Sequence, residues 1–499
     1  MPDLTTNYSF KKPLATEVVD IAILNENFDD IDSKIKELDD ENCKKTTGDL
    51  TITINSEADY DAMIVLMNSI AENNYAIEIS AGSTYVPTFN KDLKISNIGG
   101  SGTISFPVTW QIVAVELIDI TNKITFSAIS VRKTSDSVDG FKLKNCPDVY
   151  FSILNCGIPV TGAFSTQSDT RIRLENSVLK VNQFSMTGNF TWTVNPYYFM
   201  YIDSKSRFSV TSGGFCSITC NSAPLSPSPR QFAVIKVEKG GYFEEKITPT
   251  FTNWNNNFVC QIYAEEYDFD YDVLAVANSA ADALIIEDLL AVISKINSTL
   301  TIDLGDFRSG DIDIENIDGA GSLEIDKIQI TASELFLANN INCNLYLSNV
   351  EITDGDPLGG LSLSGCRYFE LIGDVISTIT NAANRAMTFQ NSRGIVEGYQ
   401  PSASTTQINA INHILITEKS DVTFEDVDTT VYNNPIGVAY IVKYSKVTFN
   451  KCTKPADPAY VTIVLDDPGV VVVARDIALD FALYMQGDGV VAGNVQRIY

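Results

Sequence analysis

A chain of 499 residues with 44% hydrophobic content has material for more than one buried core, which points to two or more domains. Lys plus Arg number 35 against 63 Asp plus Glu, a formal net charge of -28. That excess repels phosphate backbones and anionic bilayers, so neither nucleic acid nor membrane insertion is expected.

The N-terminus has no basic or apolar leader region, and no apolar run is long enough to span a bilayer, so synthesis in the cytoplasm without a signal peptide is expected. From about Thr16 to Glu41 the chain lacks Gly and Pro and has a helical period. Ile21, Leu24, Phe28, Ile31, Ile35 and Leu38 are spaced three, four, three, four, three, the a/d seam of a left-handed coiled coil. Ile at both seam positions leans toward three strands. The alternative is an amphipathic helix packed on its own domain.

The segment Thr6-Asn7-Tyr8-Ser9-Phe10-Lys11-Lys12-Pro13, with Asp20-Ile21 and Leu24-Asn25-Glu26-Asn27-Phe28-Asp29-Asp30-Ile31-Asp32, resembles the N-terminus of tail-fibre and baseplate-attached proteins. Those belong to phages and phage-tail-like bacteriocins of Gram-positive bacteria. The resemblance covers only about the first 40 residues. It implies a virion or extracellular tail particle, a baseplate or tail protein as N-terminal partner, and variable distal modules.

Beyond residue 45 an internal duplication organises the chain. Asp61-Ala62-Met63-Ile64-Val65 matches Asp282-Ala283-Leu284-Ile285-Ile286, each opening a helical stretch. Alternating segments follow in both copies, and then Gly99-Gly100-Ser101-Gly102 matches Asp318-Gly319-Ala320-Gly321. Within each copy short strands end on Asn, Asp or Gly: Phe141–Cys146, Ile172–Asn176, Leu361–Cys366, Met387–Asn391, Val422–Asp426 and Val447–Lys451. Inward alternation closed by a residue suited to positive φ is the pattern of a parallel β-helix coil.

The expected fold is therefore mainly β. An N-terminal helix or coiled coil (1–45) precedes two tandem right-handed parallel β-helix modules (46–275 and 276–499), which resemble those of tailspikes. Helices are expected to shield the exposed strand edges at the start of each module. A Greek-key β-sandwich is the structural alternative.

Chemistry is sparse. The nine cysteines are odd in number and dispersed, as in a chain folded under reducing conditions, and His413 is the single histidine. No zinc-type spacing, P-loop, GxSxG or HExxH occurs, so no catalytic residue, metal ligand or cofactor is nominated. Asp268, Asp270 and Asp272 alternate and admit a calcium reading, but an exposed strand beside a linker looks the same. Binding is better served: Trp192, Tyr197, Tyr198, Tyr201 and Trp254 supply flat rings among Asn residues, suited to a sugar face or a protein receptor. The alternative places those rings in the solenoid core or a trimer interface. The stretch Ala223 to Arg230 is expected to be a stiff, exposed contact loop.

The preferred function is a homotrimeric receptor-binding fibre or spike that meets a bacterial cell-surface receptor, protein or glycan. A polysaccharide-depolymerising tailspike and a structural baseplate connector are the alternatives, because a fold does not fix a site.

Overall fold

The computed structural model describes residues 3–4, 11–12, 45–82, 88–131, 140–158, 172–188, 198–220, 230–245, 249–256, 258–269, 271–305, 311–331, 334–353, 360–379, 385–403, 412–427, 438–451, 461–465, 471–475, 482–486, 490–493 and 496–498. The expected coiled-coil residues Ile21, Leu24, Phe28, Ile31, Ile35 and Leu38 lie outside the described residues, as do Trp192 and Tyr197. The chain falls into two compact units, one comprising 1–134, 140–158 and 174–185, the other the remainder. Each unit holds one start of the duplicated series. No helix among the described residues is long and apolar enough to cross a membrane.

The fold is a parallel β-solenoid, as the strand pattern predicts. In the first unit the strands at 50–54, 76–81, 103–112, 123–131 and 149–158 pair in parallel, one coil above the last. Strands 93–98, 115–120 and 141–144 form a second parallel sheet. In the second unit one ladder runs through 273–276, 299–303, 322–330, 344–353 and 368–379, and another through 312–315, 336–339, 361–364 and 385–390. Both ladders continue to the C-terminal coils. Among the described residues of that unit, strand direction reverses where Cys260 faces Ala275 in an antiparallel pair.

Alternation explains the core. Leu300, Leu323, Leu345 and Phe369 occupy one register position on successive coils, and all are fully buried. In the first unit Phe106, Phe126 and Phe151 stack in register, with centroids 4.2 and 4.4 Å apart and rings 7° and 1° from parallel. Burying each such side chain stabilises the fold by about 1.5–3 kcal/mol.

The turns obey equally local rules. Asn145, Asn176, Gly365, Asn391, Asp426 and Lys451 all close their strands at positive φ. Amides stack there: Asn145 Nδ2 donates to Asp119 Oδ1 at 2.5 Å, and Asn176 Nδ2 to Asn145 Oδ1 at 2.8 Å. The small residue that follows turns inward. Cys366, Ser392, Ser420 and Ser445 form a ladder in which each backbone N–H donates to the next hydroxyl, at 3.0, 3.1 and 3.2 Å. Buried polar groups are thereby satisfied along the stack.

Both expected helices form, at Glu57–Ser69 and Ala280–Val292, each 13 residues long. The true repeat at their starts is Asn55-Ser56-Glu57-Ala58-Asp59 against Asn278-Ser279-Ala280-Ala281-Asp282. Ser56 Oγ accepts from Asp59 N and Ser279 Oγ from Asp282 N, while the preceding Asn amide donates to the carboxylate at 2.9 Å in both. These are variants of the capping box: the serine satisfies a free amide of the first turn, and the carboxylate reaches back to the backbone amide just before the N-cap. The sequence match of Asp61 with Asp282 is thus displaced by two residues, because capping chemistry and not apolar identity sets the helix start. The second helix packs on strand 258–264 before it and strand 312–315 after it, so it does not end a solenoid.

Candidate binding groove

On the outer face of the first unit, strands 103–112, 123–131 and 149–158 carry a recurring triplet: Ile104-Ser105-Phe106, Ile124-Thr125-Phe126 and Val149-Tyr150-Phe151. The flanking apolar residues point inward and are buried, so Ser105, Thr125 and Tyr150 face outward in register. Between Phe106 and Thr109 the register slips: Pro107 and Val108 together oppose the single residue Ser127. Such a bulge tolerates proline, bends the strand and re-aims its side chains. The result is a groove of about 590 Å³.

Ser105, Thr125, Ser127 and Ser152 line it with hydroxyls, Tyr150 supplies a half-buried ring, and Pro107 forms part of its wall. Lys123, Asp148 and Lys180 bring charge. Lys180 Nζ lies 3.4 Å from Asp148 in a solvated pair. Asp148 is the one carboxylate among the lining residues, whereas the usual glycoside hydrolysis needs two. The groove thus presents hydroxyls, a ring face and two ammonium groups to solvent.

A second cluster lies in the other unit. Strands 198–202, 231–237 and 258–264 set Tyr201, Lys236 and Tyr263 in register. Lys236 Nζ sits 5.2 Å from the Tyr198 ring centroid and 5.9 Å from that of Tyr263. Arg173 covers the Tyr201 ring at 5.1 Å, and the Tyr201 hydroxyl donates to Glu238. Burial first, and nearby Tyr263 and Cys260 next, push the Tyr198 phenol up to about 12; burial followed by the Glu238 hydrogen bond raises that of Tyr201. Both phenols stay neutral at ordinary pH. Cations already lie over these rings, the attraction that a sugar CH face would have to displace.

Tyr198 and Tyr201 thus share one cluster, while Trp254 is only 7% exposed and presents no ring face. Of the expected contact loop, residues 223–229 lie outside the described residues, and Arg230 keeps only 9% of its side chain exposed: its guanidinium binds Asp282 Oδ2 at 2.9 Å and the Asn255 carbonyl at 2.6 Å. Asp268 is engaged by Asn297 Nδ2 at 3.3 Å and Lys295 at 3.8 Å. Tyr150 was not among the rings singled out from sequence, because it lies outside the Asn-flanked aromatic stretches. Its signal was the repeated apolar–hydroxyl–Phe triplet. No protein-family model, curated protein or solved structure matches this chain.

Proposed function

We propose that this chain is a receptor-binding fibre or spike protein that attaches a phage or phage-tail-like particle to a bacterial cell surface. The observation that carries the reading is the outward groove on a rigid solenoid sheet, with Tyr150 set among four hydroxyl side chains and a single carboxylate. Rigid strands hold such groups in place at low entropic cost, and low-affinity sites gain avidity when several copies act together. The N-terminal resemblance supports a baseplate or tail partner, and the Ile-rich seam supports a homotrimer.

Co-sedimentation of the full chain with a panel of Gram-positive cells tests it, with the supernatant assayed for released saccharide. Saturable binding without release is expected. Release would put a depolymerase first, and absence of both across the panel would leave a structural connector.

A further inference from the structure

We propose that the groove takes a saccharide that is neutral along most of its length and carries one anionic substituent, held by Lys123 and Lys180. The inference rests on the attachment reading and names the ligand class for it. Among the described residues Lys123 makes no ion pair, although it lines the groove. Lys180 has only Asp148, at 3.4 Å, with side-chain exposures of 47% and 38%. A pair this solvated is weak and readily exchanges for a ligand anion.

The other lining groups are uncharged. Hydroxyls of Ser105, Thr125 and Ser152 match sugar hydroxyls, and the Tyr150 ring matches a CH face. Two lysines against one aspartate leave the groove one positive charge, on a chain whose net charge is -28. That field repels a dense polyanion at long range but is screened beyond about 8–10 Å. One local anion is therefore favoured, while a carboxylate or phosphate on every sugar is not. Carboxylate and phosphate serve equally here, since either accepts from ammonium groups.

The test is an array of neutral glycans, glycans bearing a single uronate, sialate or phosphate, and polyanions such as polygalacturonate and poly(glycerol phosphate), probed with the full chain. Retention confined to the singly charged class is expected, with the carboxylate and phosphate members separating the two sources. Lys123→Gln and Lys180→Gln should each weaken it at least about tenfold, the loss of one hydrogen bond between charged groups. Asp148→Asn, which removes the competing acceptor, should tighten it a few-fold, and unchanged circular dichroism would confirm that each variant folds. Retention of only neutral or polyanionic glycans, or indifference to both lysine changes, overturns the proposal. Cell binding with no glycan retained also overturns it while leaving attachment standing; no cell binding removes the attachment reading itself.

Discussion

Arg230→Met should be among the most damaging single changes in the second unit. The guanidinium is enclosed, with side-chain exposure of 9% against 2% for Asp282. Its Nε and Nη2 reach Asp282 Oδ2 at 3.1 and 2.9 Å, and Nη1 reaches the carbonyls of Asn255 and Phe258 at 2.6 and 3.2 Å. Nη2 also donates to the Val276 carbonyl. One side chain thereby ties the turn at 254–256, strands 258–264 and 273–276, and the capping box of the second helix. Methionine would leave Asp282 a buried anion with Asn278 N as its remaining partner from outside the helix, at 2.9 Å, and its Oδ1 already lacks one. Breaking a buried pair in this way costs about 3–5 kcal/mol, whereas replacing both members by neutral groups is often close to neutral. Asp282→Asn added to Arg230→Met should therefore recover at least about 2 kcal/mol. Urea unfolding followed by circular dichroism, with proteolysis to locate the transition, measures both. A single-variant loss under about 1 kcal/mol, or a double variant no better than the single, would refute the role given to the pair.

Three further expectations concern the coils. Gly319→Ala and Gly100→Ala should each destabilise by about 1–3 kcal/mol, since φ is 125° and 106° and an added Cβ would run into the carbonyl of Ile296 or Asn73. Gly48→Ala, with open space around it, should be near neutral in the same urea unfolding assay. Ser420→Ala should cost about 1–3 kcal/mol by orphaning the buried Ser392 amide, and Ser420→Cys less, because a cysteine already occupies this ladder position at Cys366. Burial pushes the Cys146 and Cys343 thiols up to about 11 and those of Cys156, Cys220, Cys260 and Cys366 up to about 12. The folded state thus holds protons that the unfolded chain releases from about pH 9, so this stabilisation is intact below pH 9 and lost as pH rises through 11–12. Unfolding midpoints that stay flat from pH 8 to 11 would contradict this, as would fast labelling of those six thiols, located by peptide mapping, in the native protein at pH 8.

The strand ends show why so much of the architecture was readable. Positive φ at Asn145, Asn176, Gly365 and Asn391 depends on the residue itself, and inward alternation depends on the two-residue period of its own strand. Both signals are local, so sequence alone determined that the chain is a parallel β-solenoid with a duplicated helix-and-strand series. The helix starts were less legible, because apolar matches at Asp61 and Asp282 outweighed the capping residues at Ser56 and Ser279 in a reading by periodicity.

Tertiary structure alone decided the site. Lys180 meets Asp148 across 32 positions and Arg230 meets Asp282 across 52, distances fixed by the summed lengths of the intervening coils. The same cause covered the Tyr201 ring with Arg173 and drew Trp254 into the core while leaving Tyr150 open. Which side chains point outward is a property of each strand, but which of them become neighbours is settled only when one coil is laid on the next.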